Sequence, residues 1–237
     1  MMRKRILARV TGFVLALAVC TAGLAGILEG LGTGGELMLS LMRRHAPSDS
    51  TGLPEEEYAG MCAMITGFLG GSVDTFQYTW DGADGTRYLS FHDYEQQHMD
   101  DVRSLFVLAR TVLLISSLLA AVCIFAVYRI RRRRETLQGL RDGAAVLLGV
   151  IACLLAWGLL DFDSFFTAFH RVAFTNSLWL LDPSTDLLIR LMPAEFFMEY
   201  AALAAGTFLC IPLLLFIVPQ CMIRKERKQY AKQSDTF

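Results

Sequence analysis

Four stretches of the chain run almost without charge: about Ile6 to Leu31, broken only by Arg9 and Glu29; Leu105 to Tyr128, broken only by Arg110; Ala144 to Leu160; and Tyr200 to Ile223. Each is close to the roughly 20 apolar residues that cross a bilayer as a helix. Elsewhere the pattern changes. Residues 58 to 69 fit a short helix, and the alternation from Phe76 to Leu89 around Asp81 to Gly85 predicts a strand pair joined by a glycine-containing turn. Gly30 to Gly35 and Arg43 to Tyr58, rich in Gly, Pro, Ser and charge, read as poorly ordered.

Two further segments carry a helical period. Ser90, with Asp93 three positions on, is a plausible N-cap for a helix that leads into the second apolar stretch, and on it Phe91, Glu95, His98 and Val102 share one face. After the third apolar stretch, Phe166, His170 and Phe174 fall on one stripe with Thr167 and Arg171 beside it. The chain then continues as two short helical pieces broken by Pro183 and Pro193, which predicts an interfacial or re-entrant hairpin. Irregular backbone at such a depth needs protein or water to satisfy its polar groups. Trp179 and the phenylalanines suit headgroup depth.

With 54% hydrophobic and 19% charged residues, the chain is too apolar for an ordinary soluble domain, and its 237 residues are expected to form a single integral membrane domain. The formal net charge of -1 hides an uneven distribution. Arg3, Lys4, Arg5 and Arg9 open the chain, Arg129, Arg131 to Arg134 and Arg141 lie between the second and third stretches, and Arg224, Lys225, Arg227, Lys228 and Lys232 follow the fourth. Because positive loops stay in the cytoplasm, both termini are expected there, with residues 32 to 104 and 161 to 199 outside as structured extracytoplasmic segments. The fold class is therefore a mainly α, polytopic membrane protein of four spans, with a small β element in the first outer segment. A cleavable signal ending near Cys20 is the competing expectation for the N-terminus, but Val19 is large for a cleavage site and the apolar run continues to Leu28. Cys62 alone lies in the outer segments, so disulfides are not expected.

Polar groups in this setting are the candidate chemistry. Glu95 and His98, one turn apart, suit a general base tuned by a carboxylate, or equally a solvated helix face. His92, Glu95 and His98 invite a metal, but side chains six apart on a helix point about 120° away from each other, so no metal is expected. His170, Arg171, Asn176 and Asp182 sit among aromatics, where donors are costly without partners. Such donors suit a developing oxyanion. Arg110 either snorkels to the interface or pairs with Glu29 or a lipid oxygen. No nucleophile elbow, phosphate loop or dinucleotide fingerprint is present, so neither a serine or cysteine nucleophile nor a cofactor is expected.

The segments EQQHMDDVRSLF (95 to 106) and FHRVAFTNSLWLLDPSTDLLIRLMPAEFF (169 to 197) resemble the Lit family, bacterial four-span membrane proteins that include lipoprotein intramolecular transacylase. The resemblance implies an acyltransferase of the cell membrane. It would move the sn-2 acyl chain of a lipoprotein's diacylglyceryl group to the α-amino group of the N-terminal cysteine, giving the lyso form, with no covalent enzyme intermediate. Diacylglyceryl-modified lipoproteins and membrane lipids would be its partners, and nucleic acid would not. His98 and His170 would be the essential pair: His98, with Glu95, as base, and His170 as donor to the ester or leaving oxygen, aligned by Arg171, Asn176 and Trp179, with the two roles open to reversal. The residues alone also allow a non-catalytic membrane protein that binds lipid or a partner, or a lipid hydrolase using the same histidines.

Overall fold

The computed structural model describes residues 2–82 and 85–234. Helix α1 (Met2–Thr33) is followed by α2 (Gly35–His45), the short α3 (Ser48–Thr51), a 3-10 turn at Glu55–Glu57 and α4 (Tyr58–Gly70). The strands β1 (Thr79–Asp81) and β2 (Arg87–Leu89) come next, then α5 (Asp93–Ile130), α6 (Arg133–Leu160), α7 (Phe162–Ala173), α8 (Leu187–Leu191) and α9 (Ala194–Ser234). Four of these, α1, α5, α6 and α9, are long and apolar enough to cross a membrane. The fold is that of a helical membrane protein with one small two-stranded sheet.

The described residues divide into two compact units. The first comprises residues 2–26, 111–160 and 205–234. Within it α1 and α6 approach closely because small residues face each other: a Cβ on Gly139 would strike the Arg9 carbonyl, and one on Gly12 the Thr136 carbonyl. Small residues spaced by four are the usual way for helices to pack where no water drives them together. At the basic end of this contact Asp142 accepts from Arg9 Nη2 at 2.6 Å and Arg141 Nη2 at 2.7 Å, and Arg141 also reaches Gln220.

The second unit comprises residues 27–110 and 161–204, closely the two segments that lie between the apolar stretches in sequence. Its core is apolar and continuous: Met38, Leu41 and Met42 of α2, Tyr58, Ile65 and Phe68 of α4, Leu187 and Leu191 of α8, with Phe76, Phe91 and Phe196. Here the expectation of disorder from Arg43 to Tyr58 is corrected. Met38, Leu41 and Met42 recur at helical spacing and bury α2, while the Tyr58 hydroxyl donates to the Ala46 carbonyl and meets Thr51 Oγ1 at 2.7 Å, fastening the polar stretch between. The strands pair antiparallel, with Trp80 opposite Tyr88 and their rings stacked. Residues 83 and 84, in the expected turn, lie outside the described residues. Gln77 holds the base of the hairpin, its Oε1 accepting from Ser90 Oγ at 2.6 Å and its Nε2 donating to the Phe91 carbonyl. Ser90 is thereby committed to the hairpin and is not the cap of α5.

Arg110 braces this unit. Its Nε donates to Glu29 Oε1 at 2.8 Å and its Nη2 to the Leu69 carbonyl at 2.7 Å, so one guanidinium joins the end of α1, the end of α4 and α5. The expected piece from Pro193 to Phe197 is the first turn of α9, not a separate helix.

Candidate functional site

Helix α5 begins with one half of a capping box. His92 occupies the N-cap position, and the Glu95 carboxylate reaches back to accept from the His92 N–H at 2.7 Å. The other Glu95 oxygen accepts from the Leu188 N–H at 2.9 Å, in the first turn of α8. One fully buried carboxylate thus satisfies two helix starts, its own and one whose Leu188 N–H is 93 residues away. Burial pushes its pKa above the ordinary carboxylate range, against the pull of the two N–H groups. Both oxygens are occupied in this way and Glu95 makes no hydrogen bond to His98, so the expected direct contact between this carboxylate and that imidazole is corrected.

His98 follows one turn later, ahead of the uncharged part of α5, and is buried. Its Nδ1 is enclosed and has no hydrogen-bond partner among the described residues. Burial, and then the neighbouring His170, holds its pKa down to about 4. Helix α7 supplies that neighbour. Asp161 caps the helix by accepting from the Ser164 N–H, and the aromatic stripe turns His170 inward, where it is 7% exposed. His170 Nδ1 lies 2.8 Å from the Phe166 carbonyl. A carbonyl only accepts, so Nδ1 carries the hydrogen and Nε2 the lone pair in the neutral ring. Burial lowers the His170 pKa although the carbonyl bond opposes it. The two imidazole centroids are 6.2 Å apart, with Phe174 5.0 Å from His98 and Trp179 5.0 Å from His170.

Both imidazoles line an apolar cavity of about 550 Å³ whose wall includes Met99, Phe106, Phe166, Phe197 and Leu188. A Cβ on Gly32 would collide with the Phe106 ring, so the glycine lets that aromatic settle against α1. Trp179 belongs to the same wall and donates its indole N–H to the Asn176 carbonyl at 3.1 Å.

The other residues singled out in the sequence lie off the cavity. Arg171 is exposed, because one helical step of about 100° turns it away from His170. Asn176 is exposed and donates to Asp101 at 2.8 Å, which ties the chain after α7 to α5. Asp182 accepts from the N–H and hydroxyl of Ser184 and shapes a turn. Arg110 is the brace described above. Sequence inspection missed Asp186, which is buried and accepts from Tyr94 at 2.5 Å, Thr185 at 2.8 Å and the Asp182 N–H at 2.8 Å. Burial alone would raise its pKa, but those donors hold it below the ordinary value, and the Asp186 carboxylate in turn holds the Tyr94 phenol up at about 12. His92, Glu95 and Asp186 approach within 4.8 Å of one another, yet every oxygen of the two carboxylates already meets an N–H or O–H donor. Their donor set is used by the protein.

Apolar spanning helices and a buried pair of imidazoles on an apolar cavity define a polytopic membrane protein whose site is suited to chemistry on a lipid. The family model of lipoprotein intramolecular transacylase Lit matches residues 44–197, and the chain belongs to the Lit family. It is accordingly an acyl-transfer enzyme of the membrane. A search of the curated proteins finds no match. Among solved structures, the chain is similar to the in meso structure of the membrane integral lipoprotein intramolecular transacylase Lit from Bacillus cereus, with a TM-score of 0.75 at 19% identity over 94% of this chain and 98% of that one. It is also similar to two variants of that protein in which a histidine is replaced. The alanine variant gives a TM-score of 0.69 at 19% identity, covering 94% and 96% of the two chains, and the arginine variant 0.68 at 17% identity, covering 94% and 95%. Identity at this level speaks for the fold.

Proposed function

We propose that the chain moves the sn-2 acyl group of a lipoprotein's diacylglyceryl moiety to the α-amino group of the same N-terminal cysteine. The observation that carries this is the meeting of His98 and His170, 6.2 Å apart, at an apolar cavity of about 550 Å³. The amine nitrogen attacks the ester carbonyl, the new C–N bond forms, the C–O bond to glycerol breaks, and the proton lost by the amine is matched by one gained by the sn-2 oxygen. Nucleophile and ester belong to one molecule, so orientation in the cavity supplies up to about 7–11 kcal/mol of the barrier reduction. No enzyme acyl intermediate is required.

His170 takes the base role, because its Nδ1–H is engaged by Phe166 and its Nε2 lone pair is left for the proton. His98, held down to about 4 and so neutral, is a poor base; its ring N–H serves as a hydrogen-bond donor to the developing oxyanion, while His170 returns the proton taken from the amine to the leaving sn-2 oxygen. The partners are diacylglyceryl lipoproteins and the surrounding lipid. The clustering of Lys and Arg at residues 3–9, 129–141 and 224–232 supports cytoplasmic termini and a site on the extracytoplasmic face.

Mass spectrometry of a lipoprotein's N-terminal peptide, from bacterial cells with and without the chain, tests the assignment. An acyl group shifted from glycerol to nitrogen is expected; an unshifted peptide overturns it, and free fatty acid in its place indicates hydrolysis.

The pH dependence has a defined sign. Transfer rises with pH up to the α-amino pKa of about 8, since the ammonium is not nucleophilic. Both imidazoles have depressed pKa values, so they remain neutral below the ordinary histidine value of about 6.5 and add no break there. For His98 the same depression makes stability fall as pH drops from about 6.5 towards 4, where the unfolded chain binds a proton that the folded chain refuses. A second acid limb centred near 6.5 in the rate profile would show ordinary, solvated imidazoles.

A further inference from the structure

We infer that the cavity measures the migrating acyl chain, and that Ala109 and Ala204 at the end away from the histidines set the length it accepts. This rests on the acyl-transfer assignment above. His98 and Ala109 both line the cavity from α5, about 16 Å apart along the helix at roughly 1.5 Å per residue. His170 and Phe162 line it from α7, about 12 Å apart, and Phe196 and Ala204 from α9 by a similar separation. The approach of His98 to His170 fixes the reactive end, so the ester carbonyl must lie there. An apolar course for the hydrocarbon behind the carbonyl runs along the α5 face through Val102 and Phe106 towards Ala109.

Side-chain size changes along that course. Near the imidazoles Phe166, Phe174 and Trp179 form much of the wall, whereas at the other end α5 and α9 present the methyls of Ala109 and Ala204 opposite the Phe162 ring of α7. Ala204 is buried, so added bulk there displaces the chain end and not water. Each methylene that no longer fits is expected to lower relative transfer about four-fold.

The test uses the full chain and synthetic diacylated lipopeptides that differ only in the length of the sn-2 chain, one short and one long. The readout is the ratio of long-chain to short-chain transfer. Ala109→Leu and Ala204→Leu are expected to lower the ratio about ten-fold or more, and Phe162→Ala, which removes bulk from the same end, to raise it. The last variant reports a gain in long-chain handling, which misfolding does not produce. Ratios within about two-fold of wild type in all three variants overturn the inference and leave acyl transfer standing. Absence of transfer from either lipopeptide by the wild-type chain overturns the acyl-transfer assignment itself, and the inference with it.

Discussion

His170→Ala and His98→Ala each lower acyl transfer by about 10²- to 10⁴-fold, the range that a lost proton-transfer group or oxyanion donor costs. The two rings face one cavity and serve one transition state, so their effects do not add. The double variant is therefore expected to be little worse than the worse single one. Truncation also opens space, because His170 packs at 4.1 Å from Phe166 and 5.0 Å from Trp179. His170→Gln, of similar bulk, separates the causes: it fills the site but has no basic nitrogen, and should be as inactive as the alanine variant. Lipopeptide transfer measured beside thermal unfolding in detergent checks this. Substantial activity in His170→Gln would exclude proton abstraction by that ring.

Glu95→Leu is expected to cost about 3 kcal/mol or more of stability, among the largest effects of any single substitution here. It removes the acceptor for two helix-start N–H groups, those of His92 and Leu188, each worth about 1 kcal/mol as a cap and more when left buried and unpaired. Glu95→Gln keeps one acceptor oxygen and should be milder. The same pair of variants decides between placing and tuning. If Glu95 only places His98, Glu95→Gln lowers the unfolding midpoint while the shape of the pH–rate profile is unchanged. A displaced profile would mean that the carboxylate sets the basicity of the imidazole after all.

The missing hydrogen bond between Glu95 and His98 has a clear origin. Along one helix, Glu95 and His98 are neighbours on a face that Val102 continues, and Phe91, just ahead of the helix, is buried as well, so the periodicity is informative about burial. It carried nothing about where each carboxylate oxygen points. The backbone N–H that claims one of them belongs to Leu188, in the first turn of a short helix far along the chain that carries no local signature of the contact. Asp186 was overlooked for the same reason, since Tyr94 is 92 positions away. Helix α2 was overlooked because glycine and charge at its ends masked the spacing of Met38, Leu41 and Met42.

The residue order by itself determined the apolar helices, the short hairpin and the aromatic stripe that carries His170. These follow from local rules: hydrocarbon length without charge, alternation around a turn, and a period of 3.6. Only the tertiary structure decided that His98 and His170 share a cavity, that Phe166 orients one ring while Nδ1 of the other has no hydrogen-bond partner among the described residues, and that Arg110 and Glu95 brace the fold around them. Such contacts join residues tens of positions apart, and the energy that selects them is that of satisfying buried polar groups, which exists only once the chain has closed around them.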